Sequence, residues 1–167
     1  MGAVRFAEQL KSFGTTISVD EVRRIISIYR ESNWRIAQFW RECQNMLVQM
    51  SRSCRGAIGA NNLLTYRNTG AYDKGEDYTY CNDGFIRLPS GLDMRYGDLE
   101  YVQGERGLEF SYKTRRGRTR IYGGKVTENV CQAIARCIMG EQMLAIAKRY
   151  KPVLTVHDSV VCCVPDD

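Results

Sequence analysis

The sequence predicts an α+β fold in which helices pack on an antiparallel sheet, and three observations carry that expectation. Apolar residues at helical spacing run through residues 1–50, alternating strand-like runs gather in residues 85–167, and a long helical pattern precedes one last β-branched hairpin. Between the two portions, residues 51–84 lose all periodicity and read as an irregular connection.

With 167 residues, 44% hydrophobic and 26% charged, the chain is long enough to bury a core and lacks the composition of a disordered segment. Its formal charge of +5 permits a polyanionic partner. The seven cysteines form no Cys-x-x-Cys pair and read as reduced, small apolar residues. A single histidine, His157, excludes His-rich metal sites. No apolar run approaches membrane-spanning length and no signal-peptide core opens the chain, so the expectation is a cytoplasmic protein without a membrane partner.

Val4, Phe6, Ala7 and Leu10 mark a first helix that Gly14 is placed to stop. No capping residue precedes Gly2, so the chain is expected to start inside an element. Ser18-Val-Asp-Glu21 is a capping-box pattern and opens a second helix to about Arg30. A third begins near Asn33, with Ile36, Phe39, Trp40, Cys43, Met46, Leu47 and Met50 on one face, the pattern of a scaffold helix. Phe85 to Leu88 reads as a short strand stopped by Pro89-Ser90-Gly91. Leu108 to Tyr112 and Thr119 to Tyr122 alternate, and the polar Lys113 to Arg118 segment joins them as a hairpin with a basic tip. Thr127 is a candidate N-cap for the last helix, whose pattern could begin as early as Lys125 and which Pro152 prevents from continuing past Tyr150. Val153 to Val164 then forms two β-branched runs meeting at His157-Asp158, a hairpin whose buried apolar stem would hold a carboxylate at its tip. An ordinary polar turn on a buried hairpin explains the same residues.

Two basic features point toward nucleic acid. Lys113, Arg115, Arg116, Arg118 and Arg120 crowd the hairpin tip, a pattern suited to phosphate contacts. On the last helix Lys125, Asn129, Gln132 and Arg136 fall within about 60° of one another at ~100° per residue, a stripe able to meet groove edges and phosphates. A solvated helix face reads identically.

Arg120-Ile-Tyr-Gly-Gly-Lys-Val-Thr-Glu-Asn-Val-Cys-Gln-Ala-Ile-Ala-Arg136, with Val156-His157-Asp158 downstream and Leu88-Pro-Ser-Gly91 upstream, resembles the C-terminal fingers and palm portion of family A DNA polymerases. The likeness is to the bacterial polymerase I type, its phage branch in particular. Met1-Gly-Ala-x-x-Phe-Ala-x-x-Leu10 is similar to the stretch immediately after the Tyr-Gly of that family's nucleotide-binding helix.

The resemblance implies a right-hand polymerase fold with a palm-type antiparallel sheet. It implies template-directed addition of deoxynucleotides, from deoxynucleoside triphosphates, to the 3′ end of a DNA primer-template with the help of two magnesium ions. By that likeness Asp158 is a catalytic metal ligand and His157 lies beside the primer terminus. Gln132, with Asn129 as neighbour, contacts the primer-template minor groove, and Lys125 and Arg136 contact the backbone. Ser159 stands where many members have glutamate, and Leu92 where arginine is usual. The family's other metal-binding aspartate, and the lysine and tyrosine of its nucleotide-binding helix, lie upstream of the matched segments. Asp166 and Asp167 end the last strand too far from Asp158 to share an ion. The expectation is therefore a portion inactive by itself, completed by an upstream polymerase fragment. A non-catalytic basic nucleic-acid-binding module and an inert remnant of a polymerase gene would keep the same motifs.

Overall fold

The computed structural model describes residues 3–52, 54–68, 83–104 and 107–164, the side chains of Pro152 and Val153 excepted. The chain divides into two units, Met1–Arg41 and Glu42–Asp167. The first holds α1 (Ala3–Ser12), α2 (Val19–Ser32) and the first turns of α3 (Trp34–Ser51). Gly14, at φ +82°, takes the left-handed conformation that releases the chain from α1. Ser18 caps α2 as its sequence pattern predicts, its Oγ accepting from the Glu21 amide at 3.2 Å. Glu21 does not complete the box, since its carboxylate is 3.4 Å from Arg24 instead. Phe6, Ile25, Ile26, Tyr29 and Trp40 line an open, largely apolar pocket of about 280 Å³ within this unit.

The second unit is built on a six-stranded antiparallel meander, β1 (Gly56–Ile58), β2 (Leu64–Asn68), β3 (Gly84–Arg87), β4 (Asp93–Gly104), β5 (Gly107–Thr114) and β6 (Gly117–Ile121), paired in sequence order. Alternation assigns the two faces. Leu64, Ile86, Tyr96, Leu99, Phe110 and Ile121 are buried on one side, together with Cys43, Met46, Leu47 and Met50 of α3 and Val126 and Val130 of α4 (Gly123–Ala147). Gly84 lets α3 approach β3 closely, for a Cβ there would meet Met50 Sδ at 3.3 Å and Leu99 Cδ2 at 3.4 Å. The mixed α/β architecture and the antiparallel sheet agree with the sequence.

Several boundaries do not. Residues 51–84 contain β1, a 3₁₀ turn at Ala60–Asn62 and β2. Their strands are three and five residues long, too short for periodicity to register beside the glycines and asparagines. Residues 69–82 of that stretch lie outside the described residues. β4, with 12 residues the longest strand, is hidden in the sequence because charged side chains fill one face and a bulge between Gly97 and Glu100 breaks its alternation. Asp98 sits at the bulge with φ +47°, and buried Asp83 fixes it by accepting from the Asp98 amide (2.8 Å) and from Arg95. The polar segment Lys113–Arg118 also shrinks, because β5 and β6 pair up to Thr114 and Gly117 and leave only Arg115 and Arg116 in the turn.

The last helix begins at Gly123, earlier than Thr127 or Lys125, with Tyr122 at its N-cap position making no side-chain cap. A side chain from α3 substitutes: Gln44 Oε1 accepts from the Gly123 amide at 2.8 Å. Thr127 instead donates back to the Gly123 carbonyl at 3.0 Å. By length and composition α4 is also the one described helix able to cross a membrane, contrary to the expectation that no segment approaches such a length. Core helices of soluble proteins share that property, and α4 carries Lys125, Glu128, Arg136 and Glu141 along it.

Packing on the inner face should therefore dominate stability. Phe110→Ala, at a site 2% exposed, is expected to cost about 3–5 kcal/mol in denaturant unfolding. Leu144→Ala, at a position 70% exposed on α4, should stay within about 0.5 kcal/mol of the parent.

Candidate active site and nucleic-acid interface

The polar stripe on α4 divides when its neighbours are seen. Asn129 lies at the edge of the stripe nearest Val126 and Val130, so it is half-buried, and its Nδ2 donates to Tyr96 Oη at 3.1 Å. Tyr96 in turn stands edge-on to Tyr112, ring centroids 5.1 Å apart. Burial pushes the Tyr96 phenol up to about 12, against the lowering effect of the Asn129 hydrogen bond. Asn129 is thus a tie between α4 and the sheet. Lys125 donates to Glu128 at 2.8 Å, which holds the ammonium above its ordinary pKa, and Gln132 Nε2 donates to the same carboxylate at 3.4 Å. Gln132 and Arg136 are exposed. Glu128 partly neutralises the stripe.

At the basic tip the five cations also separate. Arg118 is committed, its guanidinium donating to Asp98 Oδ2 and to the Asp98 carbonyl, both at 2.8 Å, and lying 2.9 Å from Glu100. Arg120 pairs with Glu109 at 2.8 Å. Arg115 and Arg116 form the turn, and Thr114 Oγ1 accepts from the Arg116 amide and donates to the Gly117 carbonyl, which fixes the tip. Among the described residues Lys113, Arg115 and Arg116 have no ion-pair partner, so these three offer charge to a phosphate at least cost.

After α4 comes a two-stranded hairpin, β7 (Lys151–Val156) and β8 (Ser159–Cys163), with Val156 opposite Ser159. His157 and Asp158 are the two turn residues, both exposed, as the sequence predicts. His157 has φ +52°, a left-handed conformation that costs a non-glycine residue about 1 kcal/mol or more. The stem differs from expectation. Leu154, Val156 and Val161 share one face and are 56%, 48% and 50% exposed, while Thr155, Val160 and Cys162 on the other are half-buried. The sequence pattern marks the apolar side, but among the described residues nothing buries it.

Asp158 offers a carboxylate at the tip, but no group of three or more His, Cys, Asp or Glu side chains is gathered among the described residues. They do not by themselves fit a divalent-metal centre. Asp166 and Asp167 lie outside the described residues. Gln44 and Tyr96, which set the start of α4 and the position of Asn129, are the positioning residues that sequence reading missed; neither sits in a recognisable motif, and both act across long sequence separations.

The chain is similar to a DNA polymerase of Bacillus phage SP02, 27% identical over an alignment of 165 residues that covers 94% of this chain. It spans 24% of that polymerase's length. No protein-family model and no solved structure matches the chain. The likeness supports a relationship to DNA polymerases.

The tie between Tyr96 and α4 has a pH signature. A phenol whose folded-state pKa is raised to about 12 contributes stability that is fully present below the unfolded value of ~10 and is lost as pH rises through about 12. Tyr96→Phe should remove that share of the alkaline loss and, by deleting the hydrogen bond from Asn129, cost about 1 kcal/mol at neutral pH. Urea unfolding of parent and variant from neutral to strongly alkaline pH checks both effects.

Proposed function

We propose that this chain is the C-terminal fingers and palm portion of a family A type, template-directed DNA polymerase working in a bacterial or infected host cytoplasm. The observation that carries the reading is the continuous segment from α4 to the exposed His157-Asp158 turn, in a chain whose likeness to a phage DNA polymerase runs through 94% of its length. Asp158 then serves as one carboxylate of a magnesium site, His157 flanks the primer terminus, and exposed Gln132 reaches the primer-template minor groove. Asn129 holds α4 in register for that contact. Arg115 and Arg116 take backbone phosphates, Arg118 holds the tip through Asp98 and Glu100, and Arg136 with Lys125 adds cations on α4.

The exposed apolar side of β7 and β8, with Ile138 and Leu144 of α4 50% and 70% exposed, supports a surface that further polymerase polypeptide covers. The same partner would supply the remaining metal ligands and the residues that bind the incoming deoxynucleoside triphosphate. A second reading, a basic module that binds nucleic acid without catalysis, is favoured by the exposed Arg115-Arg116 turn, whose cations have no ion-pair partner among the described residues.

Primer extension separates the two. The isolated chain should give no templated incorporation, whereas the chain reconstituted with an upstream polymerase fragment should extend a primer in a magnesium-dependent manner that Asp158→Asn abolishes. Extension by the isolated chain would refute incompleteness; reconstituted activity indifferent to Asp158 would refute its role. In the reconstituted enzyme Gln132→Ala should lower extension efficiency about tenfold, the loss of one or two hydrogen bonds to the duplex. Unchanged kinetics on a matched primer would remove Gln132 from the site.

A further inference from the structure

The outer face of the sheet carries a second basic surface, on different strands from the hairpin tip. Cross-strand register sets its side chains in two ranks: Thr65, Arg87 and Asp93 in one, Arg67, Phe85 and Arg95 in the next. Arg55 stands exposed just before β1. Between them lies an open groove of about 690 Å³, with the small residues Gly56, Ala57 and Thr65 among its lining and Arg55, Arg67 and Arg87 as its cations.

Charge on this face is organised as well as abundant. Asp93 pairs with Arg67 at 2.8 Å and with Arg87 at 2.9 Å, and Asp83 pairs with Arg95 at 2.6 Å. Three guanidinium groups thus meet two carboxylates, and with Arg55 beside them the described residues of this face carry two more positive charges than negative ones. The hydrogen bond from Arg87, with the nearby Arg67 and Arg87 charges, holds the Asp93 carboxyl below its ordinary range, so it stays ionised and fixes the arginine planes. The Arg67 guanidinium lies over the Phe85 ring, 4.6 Å from its centroid. A planar cation seated on an aromatic ring is a platform on which a base can stack, beside fixed cations that can take phosphates.

We propose that this outer face of β1–β4 is a docking surface for single-stranded DNA. Base stacking on Arg67 and Phe85 requires unpaired bases, and among the described residues of this face no helix or ribbon stands out to enter a duplex groove. The inference deepens the polymerase reading, because a template-directed enzyme must take in an unpaired strand.

The test is fluorescence anisotropy of the full chain with a labelled single-stranded oligonucleotide, and with the blunt duplex of the same length, in the absence of metal and nucleotide. The single strand should bind more tightly than the duplex. Arg55→Gln with Arg87→Gln should weaken single-strand binding about tenfold at about 0.1 M salt and flatten the log–log salt dependence by about 1.4, the loss of two phosphate contacts. Arg55→Gln alone, at an exposed position with no ion pair among the described residues, should weaken it about threefold without touching the fold. Arg67→Lys keeps the charge but removes the platform and should cost about fivefold. Unchanged single-strand affinity in the folded variants, or tighter binding of the duplex whose loss tracks the same substitutions, would overturn the proposal. Because the readout needs no catalysis, a failure here leaves the polymerase reading intact, and a failed extension assay leaves this surface intact.

Discussion

Burial of the second half of α3 and the first half of α4 on one face of a six-stranded sheet is the constraint on which the rest of the larger unit depends. Met46, Leu47 and Met50 from one helix and Val126 and Val130 from the other close over Leu64, Ile86, Leu99 and Phe110. Each such side chain removed from water contributes about 1.5–3 kcal/mol before entropy is counted. Polar contacts then set orientation: Gln44 holds the first amide of α4, Thr127 meets Cys43, and Asn129 meets Tyr96. Where that packing stops, α4 runs on with an exposed surface and delivers the β7–β8 hairpin, so the same constraint that anchors the helix leaves His157 and Asp158 at an exposed tip.

Arginine has two uses in this sheet, and pairing separates them. Arg95 and Arg118 brace the β4 bulge through Asp83, Asp98 and Glu100. Arg115 and Arg116, by contrast, occupy a turn with no ion-pair partner among the described residues, and Arg67 and Arg87 share a single carboxylate. A count of basic residues treats all of these alike; only the pairing shows which can meet an outside anion without first giving up an inside one.

Local signals in the sequence were legible. Ser18 caps α2, the second half of the apolar stripe of α3 (Cys43, Met46, Leu47 and Met50) becomes buried while Ile36 at its start stays exposed, and the β-branched runs around His157-Asp158 form the hairpin. The rest depends on partners far along the chain. β1 and β2 are recognisable as strands only once β3 pairs with β2, and β4 looks polar because one of its faces is a surface of charges. The start of α4 is fixed by a glutamine 79 residues earlier, which no helix-start pattern includes. Within the candidate site, the turn residues were legible, whereas the inward turn of Asn129 and the engagement of Arg118 come from tertiary neighbours. The exposed hairpin stem departs from expectation for a similar reason: alternation predicts an apolar face but not whether this chain supplies its cover.

The most direct measurement of the central claim is photo-crosslinking from the hairpin tip. With a benzophenone amino acid replacing Ser159, the chain bound to a primer-template should crosslink at or next to the primer's 3′-terminal nucleotide, and only when that end is paired to a template. Crosslinks spread evenly along the duplex, or none while DNA binding is retained, would contradict a role for the His157-Asp158 turn at the primer terminus.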